Sequence, residues 1–348
     1  MRALMKYAPE PGNMEIRDIP EPTPGPGQVK IKVVASGICG SDLHIYDSDI
    51  AIPVRPPVVT GHEFSGVIAE VGEGVEGWKV GDRVVSETAY SFCGKCPACR
   101  EGWYNLCPER KTLGYWYNGI FTNYTLVPAG RLHHIPDEVD DISAALTEPL
   151  ACVCHAVFDL TEIKPTDLVL VNGPGPIGLM ALQVAKSFGA KILVSGTKAD
   201  VERLALAKEL GADYTCNIDE KPLADLVNEL TDGWGVDVVL ECSGNQYGIN
   251  GALKVLKRRG YFTQVGMGKP EIPFYIEALN YREPIVSGSL GSRKASWVQA
   301  LDLLKRGKVK VDKIADTRMP LADWEKAFDM FRKKEGGKFI LFPFEEDY

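Results

Sequence analysis

Residues 167–183 read "DLVLVNGPGPIGLMALQ". Leu168 to Val171 form a short apolar run of strand character, and from Pro176 onward apolar residues recur at helical spacing until Gly189. Between the two lie Gly173, Gly175 and Gly178 in a G-x-G-x-x-G arrangement. That pattern is weak by itself; a strand before it and a helix after it are the context that gives it meaning. Gly173 permits the tight turn, Gly175 close approach of a pyrophosphate, and Gly178 close packing of helix on strand. Pro176 and Ile177 open the helix whose N-terminus faces the phosphates.

The same rhythm continues downstream. "AKILVSG" reads as a strand, "ERLALAKELG" as a helix, "VDVVLECSG" as a strand, "GALKVLKRRG" as a helix and "GYFTQVG" as a strand. Strands alternating with helices of this length predict a doubly wound α/β sheet. Upstream the character differs. Residues 1 to about 135 carry short β-branched runs, "GQVKIKVVASGIC", "FSGVIAEVG" and "KVGDRVV", punctuated by Gly and Pro, which predicts a β-rich barrel or sandwich. After residue 293 two helical stretches, "ASWVQALDLLKRGKV" and "DWEKAFDMFRKK", precede a closing strand in "GGKFILFPF", and "EEDY" reads as a solvated end. The expected domains are therefore 1–154, 155–293, and a return of 294–348 to the first.

The chain has 348 residues, 45% hydrophobic and 25% charged, with a formal net charge of −8. This length suits two domains. The negative balance gives no reason to expect nucleic acid or an anionic membrane as partner. No apolar run reaches the roughly 20 residues of a membrane span, and the opening "MRALMKYAPEPGN" lacks a secretory core, so the expectation is a cytoplasmic protein. In a reducing compartment nine cysteines, an odd number, point to thiols and metal ligands.

Four of these cysteines crowd into "CGKCPACREGWYNLC", as Cys93, Cys96, Cys99 and Cys107. Thiolates at such spacing converge on one tetrahedral Zn2+. Gly94, Lys95, Pro97 and Glu101 make the segment a polar loop, against the plainer reading of unrelated buried thiols. A site with four cysteine ligands is closed to substrate, so this zinc is structural and the chemistry lies elsewhere.

A second set is open. "SGICGSDLH" and "VTGHEFSG" supply Cys39, His62 and Glu63, three ligands of the kind a catalytic zinc keeps beside an exchangeable position. Each alone reads more simply as a packed side chain; their weight comes from co-occurrence with Glu148, a carboxylate in the apolar stretch "ALTEPLACVCH" that needs a cation nearby. Ser41 and His44 follow Cys39 closely enough to carry a proton to solvent, although a turn hydroxyl and a surface histidine are their plainer readings. His133, His134 and His155 match no ligand spacing.

The end of the second βαβ strand, "ILVSGTKADVER", has Gly196 where an acidic residue would bind a ribose 2′-OH and repel a 2′-phosphate. Gly196, Thr197, Lys198 and Arg203 offer space, a hydroxyl and positive charge, which favours NADP over NAD. The competing reading makes Lys198 and Arg203 solvated helix residues and gives the ribose to Asp200.

Together "GICGSDLH", "GHEFSGVIAEVG", "GDRV", the four-cysteine lobe, "EPLA", "GPGPIG" and "AKELGAD" resemble, in order and along essentially the whole chain, the zinc-dependent medium-chain dehydrogenases. The resemblance implies a GroES-like catalytic domain interrupted by a Rossmann coenzyme domain, with the active site in the cleft between. It implies two zinc ions per chain: the structural one, and a catalytic one on Cys39, His62 and Glu63 with Glu148 as direct or water-mediated fourth partner. The Glu after the ligand His and the run "EPLA" look like the polyol branch typified by sorbitol dehydrogenase, while "CGSDLHIY" is also similar to threonine dehydrogenase. The activity implied is interconversion of a secondary alcohol and a ketone with NAD(P), in a homo-oligomer, a tetramer or dimer. Phe121, in the aromatic run "GYWYNGIFTNY", lines the substrate pocket by the same resemblance, or else fills the barrel core.

Overall fold

Along Gln28–Gly37 buried and outward positions alternate, with Val29, Ile31 and Val33 in the core and Lys32 facing out. That period of two is what a half-buried strand requires. In the structure of the chain, a computed structural model that describes residues 1–268 and 271–345, this strand is the hub of the first unit. It pairs antiparallel with Glu63–Val71, Tyr124–Pro128 and Phe339–Phe342. The last of these is almost wholly buried, so the apolar run "FILF" draws the end of the chain back to its beginning. Residues 346–348, most of the tail read as a solvated end, lie outside the described residues.

Two compact units result: Met1–Pro149, Ser292–Lys305 and Val311–Tyr348 form one, Leu150–Gly291 and Arg306–Lys310 the other. The second is built on six parallel strands, which we number β1 (Leu168–Asn172), β2 (Lys191–Gly196), β3 (Tyr214–Asn217), β4 (Val236–Glu241), β5 (Leu256–Gln264) and β6 (Ile285–Gly288). Their order is β3-β2-β1-β4-β5-β6, so the sheet reverses direction of growth between β1 and β4. β1 is buried at every residue, as a central parallel strand covered on both faces must be.

One boundary differs from the sequence reading. "GALKVLKRRG" is helical only to Val255, and β5 begins at Leu256. Leu256 pairs with Val236 and Tyr261 with Val238, so the residues between them bulge out of register. Arg259 takes a positive φ of 57° there, and Lys257 forms an ion pair with Asp237. Sheet pairing overrides the helix propensity of the Lys-Arg-Arg run.

Candidate active site and coenzyme loop

The four lobe cysteines are free thiols whose sulfurs lie within 4.8 Å of one another. Cys93 Sγ is 3.6 Å from Cys107 Sγ and 3.9 Å from Cys99 Sγ. A disulfide would need about 2.05 Å; four sulfurs at ~2.3 Å from one zinc stand ~3.8 Å apart. The backbone N–H groups of Cys96, Cys99 and Cys93 point at the sulfurs of Cys93, Cys96 and Cys107 at 3.3–3.5 Å. N–H groups from Lys95 and Cys96 hold the Cys93 thiol down to about 7, toward the thiolate a metal needs. The residues present fit a zinc ion. The lobe is moored to the barrel by Tyr104, which stacks on Phe92 at 4.6 Å and donates to the buried carboxylate of Glu87.

Strand register assembles the second cluster. Gly37 lies opposite Glu63 in the antiparallel pair, so Cys39, two residues beyond one, meets His62, one residue before the other. Ligand atoms of Cys39, His62 and Glu63 all lie within 4.8 Å of one another. A Cβ on Gly37 would stand 2.2 Å from Glu63 Oε2, so this glycine makes room for the carboxylate. Phe339–Phe342 flanks the same strand end, with Ile340 opposite Gly37, and delivers Lys338 to Glu63.

Asp42 and Lys338 complete the surroundings, and the sequence reading had singled out neither. Asp42 Oδ2 accepts from Cys39 N at 2.9 Å, capping the helix Gly40–Asp47, and its Oδ1 lies 3.7 Å from His62 Nδ1. Spacing carried a signal for it: an Asp three residues after a helix-starting Cys is in capping position. Burial lowers His62, but the sulfur of Cys39 and the charges of Asp42 and Glu148 outweigh it and raise the imidazole to about 10. Burial pushes the Asp42 carboxyl up to about 6 against the pull of His62. Cys39, Asp42, Glu63 and Glu148 thus act on the same buried His62 and Lys338, and such a gathering of sulfur and carboxylates fits a divalent cation.

Glu148 lies near the start of the helix Thr147–Cys154, buried and felt electrostatically by His62, Tyr115 and Lys338, but outside the three-ligand set. Ser41 is buried, whereas His44, three residues on along the same helix, is about half exposed with Nδ1 2.8 Å from Asp49 Oδ1. Tyr115 is a further polar neighbour that the sequence did not single out: its ring stands 5.6 Å from that of His62 and its hydroxyl interacts with Ser41. Phe121 is wholly buried in the barrel core, where a Cβ on Gly61 would come within 2.8 Å of its ring. It packs behind the segment that carries His62.

In the second unit Gly173 has a φ of 102°, and a Cβ there would meet Ser243 N at 2.9 Å. A Cβ on Gly178 would come 2.0 Å from Gly173 O, while around Gly175 nothing lies within 4 Å. Gly175 is the N-cap and Pro176 the first residue of the helix Pro176–Lys186, with Ile177 following, so free N–H groups face an open approach suited to a phosphate. At the end of β2 a Cβ on Gly196 would lie 2.9 Å from Pro174 Cγ. Asp200 is turned inward: its Oδ2 accepts from Thr197 N at 3.0 Å and Thr197 Oγ1 at 2.8 Å, and its Oδ1 is 3.7 Å from Arg203 Nη1. That occupation argues against Asp200 as the ribose acceptor. Lys198 donates its backbone N–H to Asp219.

Residues 25–137 match the family of alcohol dehydrogenase GroES-like domains, and residues 176–306 match the zinc-binding dehydrogenase family. The sorbitol dehydrogenase of Halalkalibacterium halodurans is 47% identical over 99% of this chain and 100% of that protein. The L-threonine 3-dehydrogenase of Bacillus velezensis is 37% identical over 99% of both. Among solved structures, a zinc-binding dehydrogenase of Sinorhizobium meliloti bound to NADP superposes with a TM-score of 0.88 at 30% identity, covering 98% of this chain and 99% of that one. The architecture is thus a GroES-like β-rich domain joined to a doubly wound Rossmann domain, and the chain belongs to the zinc-dependent medium-chain alcohol dehydrogenases, as an enzyme of their polyol-dehydrogenase branch.

Proposed function

We propose that the chain oxidises a secondary hydroxyl of a polyol to a ketone, and the reverse, with Cys39, His62 and Glu63 holding a catalytic zinc and Cys93, Cys96, Cys99 and Cys107 a structural one. The observation that carries this is the register of Gly37 with Glu63, which builds an open three-ligand set beside a separate closed one. When bound, zinc supplies Lewis-acid stabilisation of charge on the substrate oxygen and the nicotinamide supplies the hydride acceptor. Ser41 receives the hydroxyl proton; His44, three residues away on one helix face, hands it to solvent with Asp49 steadying its ring. Glu148, outside the ligand set, approaches the site directly or through water. Gly173, Gly175, Pro176, Ile177 and Gly178 seat the coenzyme diphosphate.

NADP is the preferred coenzyme. Gly196 presents no carboxylate, Asp200 faces inward, and Thr197, Lys198 and Arg203 stand at that corner. A homo-oligomer, dimer or tetramer, is supported by β6, a sheet-edge strand whose Ile285 and Val286 are exposed. Nine cysteines, with no disulfide among the described residues, suit the cytoplasm. The test is initial rates with sorbitol, xylitol and L-threonine, each with NAD and NADP. Turnover of a polyol well above L-threonine supports the reading; turnover of L-threonine alone replaces it with an amino-alcohol dehydrogenase.

A further inference from the structure

At the carboxyl ends of the parallel strands, where the order reverses between β1 and β4, a doubly wound sheet opens the crevice that receives its ligand. Glu241, the last residue of β4, sits there with no exposed surface. Among the described residues no lysine, arginine or histidine forms an ion pair with it. Its carboxylate accepts instead from neutral donors: Asn172 Nδ2 at 3.0 Å, Ser243 N at 3.1 Å and Ser243 Oγ on Oε1, Gly244 N at 3.0 Å and Gln264 Nε2 at 2.7 Å on Oε2. Asn172 Oδ1 in turn accepts from Ser195 Oγ at 2.7 Å. Ser195, Asn172, Glu241 and Gln264 therefore form one hydrogen-bonded chain across the ends of β2, β1, β4 and β5.

A buried carboxylate without a cation is costly, and an apolar residue would serve the sheet's stability at least as well. What the carboxylate does that an apolar side chain cannot is fix several polar loop atoms at once. The loop it fixes touches the phosphate turn: Ser243 and Gly244 are held by Glu241, and Ser243 N and Cα lie where a Cβ on Gly173 would stand, at 2.9 and 3.0 Å. Displacing Ser243 displaces Gly173. We propose that Glu241 is a positioning residue for the coenzyme, acting through Ser243 and Gly244 on the Gly173–Gly178 turn, without touching the dinucleotide.

This rests on the reading of residues 173–178 as the coenzyme loop. The experiment measures NADP and NADPH dissociation constants by fluorescence titration of the zinc-loaded full chain, with kcat, the KM for the alcohol, zinc content and Tm alongside. Glu241→Gln turns an amide N–H₂ toward atoms that are themselves donors. It should raise both dissociation constants at least about tenfold, about 1.4 kcal/mol, with kcat at saturating coenzyme and the KM for the alcohol within threefold of wild type. Gln264→Leu removes one donor and keeps the carboxylate, and should weaken coenzyme severalfold. A merely structural role would lower Tm and leave the dissociation constants alone. The proposal is overturned if folded Glu241→Gln, or folded Gln264→Leu should the former not fold, binds coenzyme within twofold of wild type. A wild type that binds neither NAD nor NADP overturns the coenzyme reading beneath it as well.

Discussion

Lys338 Nζ lies 2.7 Å from Oε1 and 2.6 Å from Oε2 of Glu63, and donates to Ile38 O at 2.7 Å. The two side chains are separated by 275 residues and both are buried. Burial by itself would lower the ammonium; the charges of Glu63 and Cys39 outweigh it and hold Lys338 above its ordinary range. Lys338, just before the strand Phe339–Phe342, thus brings a fixed cation to the Glu63 carboxylate and sets where that carboxylate points.

Removing one partner of a buried pair leaves the other charge uncompensated, at about 3–5 kcal/mol. Lys338→Met should lower the unfolding free energy by roughly this amount, and Lys338→Arg by much less. Denaturant unfolding checks both, and a methionine variant within about 1 kcal/mol of wild type contradicts the assignment.

For the proton path, Ser41→Ala should lower kcat by about 10²–10⁴, the usual contribution of a positioned acid–base group. His44→Ala should cost less, because that ring is half exposed and buffer reaches its place. Steady-state kcat of the two variants decides the matter; a Ser41→Ala enzyme turning over within threefold of wild type removes Ser41 from the path.

At the coenzyme corner, one charge-assisted contact to a 2′-phosphate is worth about 1.5–3 kcal/mol. Its exposure argues for the lower end, so kcat/KM should favour NADP by about tenfold. Gly196→Asp would restore a diol acceptor, but its Cβ meets Pro174 at 2.9 Å and Asp200 Cβ at 3.1 Å. It should therefore depress both coenzymes rather than exchange them. Lys198→Ala and Arg203→Ala are the cleaner tests, each lowering kcat/KM for NADP and leaving NAD within about twofold. A wild type that favours NAD tenfold would contradict the account of this corner.

The parts legible in the sequence are those written locally. Gly173 and Gly178 announce their turn because a Cβ at either would clash with neighbouring backbone, and the Cys93–Cys107 spacing announces the cluster of four sulfurs because four thiols in fifteen residues have few uses apart. Lys338 was not legible, since nothing in "GGKFIL" shows that its strand pairs beside Gly37. Tyr115 was hidden likewise: the run 114–121 reads as aromatic core until the fold places one ring beside His62. The strand Tyr214–Asn217 and the helix Leu223–Thr231 also went unread, although Leu223, Leu226, Val227 and Leu230 show helical spacing. The Gly196 corner was legible in composition but not in sterics, because Pro174 comes from the preceding turn.

The lobe makes its own prediction. A structural zinc contributes folding energy, so Cys99→Ser should retain one zinc per chain, lose the lobe's rigidity and unfold at a clearly lower temperature, while keeping measurable turnover after gentle preparation. An unchanged Tm would mean that Tyr104, Phe92 and Glu87 hold the lobe without metal.

The most direct measurement is the zinc content and polyol-dependent NADP reduction of Cys39→Ala beside wild type. The account predicts two zinc ions per chain and turnover in the wild type, and in Cys39→Ala one zinc, an unchanged fold and turnover below detection. A single zinc in intact wild-type protein, or a Cys39→Ala enzyme that still oxidises polyols at a comparable rate, would contradict it.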